Sequence, residues 1–211
     1  MTTVVPKPFT LVTYGTSLTT GRLSSSWPER LQQALLGVPE SIGPVIIYNL
    51  GKGSTTSVWG VDNAHYGADM RPSHILSETF AINDCALIGA TPAVSLSENA
   101  SNMAAMRAIW LAADPTVDIT WQSMSSISSS ITSLRPDLAT YYNAGMVTGA
   151  ALGDSVLDNY PGWINPLPTA LTYNSDGLHP IWTGGTETYL FPNVLLWARQ
   201  KMAAYWGLPP P

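Results

Sequence analysis

Apolar residues fall along the chain in short unbroken runs, separated by longer segments that repeat on a helical period. The first run, "FTLVTY" (9–14), stops at Gly15 and passes at once to Thr16-Ser17. Similar runs follow in "PVIIYNLG" (44–51), "SHILSETFAIND" (73–84), "TVDITWQSM" (116–124) and "GDSVLDNY" (153–160). A continuous apolar run of this length predicts a strand buried on both faces, and that is the reading for 44–51. Between the runs, "SSSWPERLQQALLG" (24–37) places Leu31, Ala34 and Leu35 on one helical face. Ser26 and Glu29 have capping-box spacing there, Pro28 suits a first turn and Gly37 a stop. "ENASNMAAMRAIWLAAD" (98–114), "RPDLATYYNAGMVTGAA" (135–151) and the stretch from Gly185 to Trp206, interrupted at Pro192, also read as helices. The serine-rich segment 122–135, "QSMSSISSSITSLR", reads as a surface loop.

Strands alternating with helices predict βαβ units. The expected fold class is α/β: a three-layer α/β/α sandwich, flavodoxin-like, around a mainly parallel sheet of roughly five strands. No internal repeat or linker breaks the pattern, so residues 1–211 are expected to form a single domain. In open sheets of this kind ligands bind beyond the carboxyl ends of the strands. Ser17, the loop "GKGSTTS" (51–57) and Asn83 all stand at such ends.

Composition narrows the classes of partner. Hydrophobic residues make up 45% of the chain, charged residues only 11%, and the net charge is −5 with nine Lys plus Arg. A nucleic-acid partner needs a basic face, so none is expected. No apolar stretch approaches the ~20 residues of a membrane span, and "MTTVVPKPFTLV" lacks the basic and apolar regions of a signal peptide. The expected location is soluble: cytoplasmic, virion- or surface-associated, or secreted after loss of a leader. Cys85 is the single cysteine, and histidines at 65, 74 and 179 are scattered, so no metal site and no cofactor is expected. Nothing in the pattern assigns an oligomeric state.

The chemistry gathers around "NSDGLHP", in which Asp176 precedes His179 by three residues. A serine hydroxyl becomes a nucleophile only when a base takes its proton, and histidine suits that task near neutral pH. The histidine needs an acceptor on its other ring nitrogen, which Asp176 can supply locally. An acyl-transfer site also needs donors where an oxyanion develops. The backbone N–H of Ser17, a backbone N–H of the loop after the second strand and the side-chain amide of Asn83 are the candidates. Each piece has a plainer reading: Gly15-Thr16-Ser17 and Asp176-Gly177 as turns, Asn83-Asp84 as a helix N-cap.

Taken in order, Gly-x-Ser after the first strand, a glycine-bearing loop after the second, Asn-Asp after the third and Asp-x-x-His-Pro before the last helix resemble the SGNH hydrolases, or GDSL esterases and lipases. The resemblance runs from Leu11 to about Gly185. It implies Ser17 as nucleophile, His179 as base, Asp176 as its orienting acid, and an oxyanion hole from Ser17, Asn83 and the loop. Three positions depart from the family pattern. Thr16 replaces the usual aspartate, leaving the turn to a hydroxyl contact. Ala81 stands where a glycine is usual, which fits only at negative φ. In the loop, counting from Asn49 puts Ser54 at the oxyanion position with Gly53 one place early, so either residue is a candidate donor.

The literal Gly-Asp-Ser at 153–155 comes after Asn83-Asp84, out of block order, and Ser155 is read as a decoy. Cys85 is read as a small core residue, His65 and His74 as surface or structural. Glu78 is read as a charge that is paired or at a sheet edge. The implied function is a serine esterase acting on small-molecule or carbohydrate esters through an acyl-enzyme. One alternative is a carbohydrate O-acetylesterase with Trp163 and Trp182 as stacking surface; the other is a non-catalytic carbohydrate-binding relative.

Overall fold

Alternate residues of the first strand feed different cores. The computed structural model, which describes residues 6–21, 26–164 and 173–211, begins with β1 (Phe9–Gly15). Phe9 and Leu11 enter one hydrophobic cluster, Val12 and Tyr14 another. Successive side chains of a strand point to opposite faces, so β1 is covered on both sides. After it come α1 (Ser17–Thr20), α2 (Trp27–Leu35), β2 (Val45–Gly51), α3 (Ser57–Asp69), β3 (His74–Glu78), α4 (Ala81–Asp84) and a two-stranded ribbon of β4 (Leu87–Ile88) and β5 (Thr91–Pro92). Then follow α5 (Leu96–Ala113), β6 (Asp118–Gln122), a 3₁₀ turn at Ser129–Leu134, α6 (Leu138–Ala151), β7 (Ser155–Leu157) and α7 (Tyr160–Ile164). A π turn at Trp182–Thr186 leads into α8 (Glu187–Tyr189) and α9 (Phe191–Tyr205). The leader reading rests partly on residues 1–5, and the first serines of the 24–37 reading also lie outside the described residues.

The main sheet has five strands in the order β2-β1-β3-β6-β7, all parallel. One cluster packs α2 and α9 on one face through Trp27, Leu31, Val194 and Met202. The other packs α3 and α5 on the opposite face through Ala64, Met103, Met106 and Trp110. This is the expected three-layer α/β/α sandwich. Strand order reverses beside β1, and the crevice at such a switch point, beyond the carboxyl ends of β1 and β3, is where ligands bind in doubly wound sheets.

Several local expectations need correction. β2 is an edge strand paired only with β1, and most of it is half-buried or exposed, so its apolar run does not mark burial on both faces. Ser26 makes no side-chain cap; Glu29 instead accepts from Asn49 Nδ2 at 3.0 Å. The serine-rich segment is not all surface. Ser123, Ser125 and Ser126 are buried, and Ser123 Oγ donates to Asp158 Oδ1 at 2.6 Å while accepting from the N–H groups of Asn159 and Tyr160. Pro192 falls in the first turn of α9, where its missing N–H costs nothing, rather than breaking a helix.

Candidate active site

Ser17 is the first residue of α1, separated from β1 by Thr16 alone. Thr16 is the N-cap, its hydroxyl oxygen accepting from Leu18 N–H at 3.2 Å. A first-turn N–H has no partner inside its own helix, which leaves the Ser17 N–H available beside its own Oγ. From the far end of the sequence, His179 brings Nε2 to 2.8 Å from Ser17 Oγ, in a contact that is buried. His179 Nδ1 lies 2.6 Å from Asp176 Oδ2. The other carboxylate oxygen, Asp176 Oδ1, accepts from the backbone N–H groups of Leu178 (2.9 Å) and His179 (3.0 Å), so the aspartate is locked to the turn that carries its histidine. Burial pushes the Asp176 carboxyl up, but the N–H and ring of His179 and the N–H of Leu178 outweigh it and hold it below the ordinary carboxylate value. An ionised Asp176 accepting Nδ1–H leaves Nε2 free to accept the serine proton.

The second and third blocks meet beside this line. Gly53 passes against Ser17, for a Cβ placed on it would stand 3.8 Å from Ser17 Cβ. Ser54 is exposed and takes the positive φ (60°) that turns the loop. Asn83 lies inside α4 and makes no cap; its Nδ2 donates to the Thr55 carbonyl at 2.8 Å, leaving a second amide hydrogen. Ala81 begins α4, and the positive φ of this turn (60°) falls on Phe80, so alanine meets no strain at its position. Asp84, pushed up to about 6 by burial, accepts from the N–H of Ser57 (2.9 Å) and from Asn99 Nδ2 (2.8 Å), pinning α3 and α5 to α4.

A structure comparison finds the same architecture in solved hydrolases. A lipase/acylhydrolase from Enterococcus faecalis superimposes with a TM-score of 0.73 at 18% identity, covering 96% of this chain and 98% of that one. The acetylxylan esterase Axe2 from Geobacillus stearothermophilus gives 0.70 at 15%, covering 90% and 94%. A putative lipolytic protein of the G-D-S-L family from Desulfitobacterium hafniense gives 0.67 at 13%, covering 89% and 99%. The fold is that of the SGNH hydrolases. No family model and no curated protein sequence matches the chain.

Within the SGNH fold the other singled-out residues fall elsewhere. Ser155 opens β7, at the amino-terminal end of a strand, where its Oγ accepts from Lys201 Nζ at 3.0 Å. Cys85 is buried, and burial pushes its thiol up to about 12. His65 is exposed against Tyr66, whereas His74 lies buried beside the Phe9 ring, and burial pushes it down to about 4 against the opposing charge of Asp118. Trp163 is fully buried against Tyr173 and Tyr189, so it offers no stacking surface. Trp182 is partly buried with the Arg30 guanidinium 4.0 Å over its ring.

Glu78 also departs from expectation. It is neither paired with a cation among the described residues nor at an edge: it ends the central strand β3, fully buried against threonine hydroxyls. Sequence reading expected a hydroxyl contact from Thr16 in the turn, which its bond from Leu18 N–H provides, but missed Glu78 as the partner of that hydroxyl. The available signal was a pair of threonines flanking the serine, at 16 and 19, with an unexplained carboxylate two strands later in the chain.

Proposed function

We propose that the chain, as one catalytic domain, is a carboxylic ester hydrolase working through an acyl-enzyme on Ser17. The observation that carries this reading is the continuous line Ser17 Oγ–His179 Nε2, His179 Nδ1–Asp176 Oδ2, at 2.8 Å and 2.6 Å. His179 takes the proton as Ser17 Oγ attacks the ester carbonyl, and Asp176 stabilises the imidazolium. The tetrahedral oxyanion is held by the N–H groups of Ser17 and Gly53 and the free amide hydrogen of Asn83. Gly53 is preferred over Ser54 because it lies against Ser17. Collapse expels the alcohol, protonated by His179, leaving Ser17 acylated. Water, deprotonated by the same histidine, then releases the acid.

Support also comes from the similar fold of Axe2. Solved catalytic mutants of that esterase replace a serine, an aspartate and a histidine three residues after the aspartate. Asp176 and His179 have the same spacing. That likeness favours short acyl esters of carbohydrates as the substrate class, with deacetylation as the second, finer reading. Trp182, close after His179, is then the remaining stacking candidate, with the Arg30 guanidinium already over its ring. A purely carbohydrate-binding role would leave the three bonded side chains without a purpose. The test is p-nitrophenyl acetate turnover and fluorophosphonate labelling of wild type and Ser17→Ala. A loss of roughly 10⁴-fold or more in kcat, with loss of labelling, is expected because nucleophile and base act as one unit. Unchanged turnover by Ser17→Ala would overturn the assignment.

A further inference from the structure

Beneath the nucleophile turn lies a carboxylate that the mechanism leaves unused. β1 and β3 pair with Tyr14 opposite Ser77, so Glu78, the next residue, comes up beside Gly15. The two flanks of Ser17 are tied to it. Glu78 Oε2 accepts from Thr16 Oγ1 at 2.7 Å, and Glu78 Oε1 accepts from Thr19 Oγ1. Thr16 Oγ1 at the same time accepts from Leu18 N–H at 3.2 Å. Contact with the turn is close: a Cβ on Gly15 would stand 2.6 Å from Glu78 Cγ and Cδ and from Thr19 Oγ1. Only a residue without a side chain lets the carboxylate reach this backbone.

Such a group is expensive as mere filling. Glu78 is 1% exposed and has no ion-pair partner among the described residues. A buried, unpaired carboxylate is costly where a neutral side chain of similar size is not. Burial pushes it up to about 7 despite the hydroxyls of Thr19 and Thr16. Among the described residues Tyr142 of α6 also faces it, its phenol driven well above its ordinary value by burial and then by the charge of Glu78.

We propose that Glu78 is a positioning residue for the nucleophile: by gripping Thr16 and Thr19 it fixes the backbone at Ser17, keeping Oγ in line with His179 and the Ser17 N–H aimed at the oxyanion. This rests on the reading of Ser17 as nucleophile. An ionised carboxylate is an acceptor only, so both threonine hydrogens turn inward and the Thr16 lone pair stays on Leu18 N–H. An amide or a protonated acid presents a donor in place of one acceptor and must reverse one hydroxyl. Small displacements of a catalytic group cost up to roughly 10²-fold in rate.

The experiment compares Glu78→Gln, Thr19→Val, Thr19→Ser and the double variant Glu78→Gln/Thr19→Val at pH 8. Turnover of p-nitrophenyl acetate is measured per folded protein, with thermal midpoints, and Ser17→Ala runs in parallel. Glu78→Gln and Thr19→Val are each expected to lose roughly 10- to 100-fold in kcat with little change in KM, and Thr19→Ser to stay near wild type. The double variant should be no slower than the slower single, since both cut one linkage. Glu78→Gln should have a thermal midpoint no lower than wild type, which a structural role would not give. Should Glu78→Gln fail to fold, the contrast between Thr19→Val and Thr19→Ser decides on the same criterion. Near-wild-type kcat in Glu78→Gln and Thr19→Val, with Ser17→Ala inactive, overturns the positioning role and leaves the esterase reading intact. Turnover that survives in Ser17→Ala removes the esterase reading itself.

Discussion

At the scale of single residues, Asn83 shows how one side chain joins two parts of a site. Its amide clips the loop after β2 through Thr55, and in the proposed mechanism its second hydrogen serves the oxyanion. Asn83→Ala is therefore expected to lower kcat by ~10²- to 10³-fold, and to lower stability by about 1 kcal/mol through the lost bond to Thr55. Steady-state kinetics beside a urea titration measures both. Asn83→Asp should be worse in both respects, because a carboxylate faces the Thr55 carbonyl and repels the oxyanion. The titrating groups make a separate prediction. Burial raises Glu78 to about 7 from 4.5, so the folded state keeps that proton after the unfolded chain has lost it. Its stabilisation is full below the unfolded value and is lost as pH rises through about 7. Asp84, raised to about 6, acts with the same sign, while buried His74, lowered to about 4, acts against it. Comparing wild type with Glu78→Gln cancels the last two. The variant is expected to gain on wild type between pH 5 and 8 by on the order of 3 kcal/mol at most, read as diverging thermal midpoints. Parallel midpoint curves would show that Glu78 does not titrate in this window. Asp176 and His179 stood in the sequence as a local motif, whereas Glu78 was misread because its partners lie 62 and 59 positions away.

At the scale of elements, apolar runs located the strands because a buried strand needs little else. They did not distinguish centre from edge. β2 carries Val45, Ile46 and Ile47 like an inner strand, yet it has a neighbour on one side only. Helix α3 was not legible at all, for its sequence holds Gly60 and Gly67, which weaken the helical signal. The structure supplies the reason for both glycines: α3 packs closely on α5. A Cβ on Gly60 would lie 2.8 Å from Met106 Sδ and 3.0 Å from Phe80 Cζ, and one on Gly67 3.2 Å from Trp110 Nε1. Alanine usually gains up to about 1 kcal/mol over glycine in a helix. Overpacking at Gly60 opposes this by about 1 to 3 kcal/mol, and one of the crowded groups, Phe80, belongs to the turn that leads into Asn83. Gly60→Ala is therefore expected to lower the thermal midpoint by a few degrees and to reduce kcat along with it. A midpoint raised by the substitution would show that the α3–α5 contact has room to give. The serine-rich segment failed for a related reason, since composition does not reveal that Asp158 and the Asn159 N–H meet the buried Ser123 hydroxyl, or that Tyr173 meets that of Ser126.

At the scale of the whole molecule, the parallel sheet turns sequence order into spatial order. Every strand of the main sheet ends on the same side, so blocks that follow strand ends converge even though Ser17 and His179 are 162 residues apart. This is why the order of weak motifs was informative where each alone was ambiguous, and why the Gly-Asp-Ser of residues 153–155 misleads. That triplet runs into the start of its strand instead of following one. Asp154 is held by Arg107 Nε at 2.8 Å and by Trp121 Nε1 at 2.9 Å, and Ser155 Oγ by Lys201 Nζ at 3.0 Å. These bonds tie α5, β6 and α9 together at the amino-terminal side of the sheet, opposite the line of Ser17, His179 and Asp176. Lys201 keeps its stronger bonds to Asp118, at 2.8 Å and 3.0 Å, when the Ser155 hydroxyl is removed. Ser155→Ala is accordingly expected to keep kcat within a few-fold of wild type and to change stability by about 1 kcal/mol or less. Asp154→Ala should instead unfold at markedly lower temperature, because it strips the partner from a buried indole N–H and from Arg107. Per folded protein it should still turn over substrate. If Ser155→Ala abolished turnover while Ser17→Ala kept it, the chemistry would lie on the other side of the sheet, and the convergence of strand ends would be incidental to function.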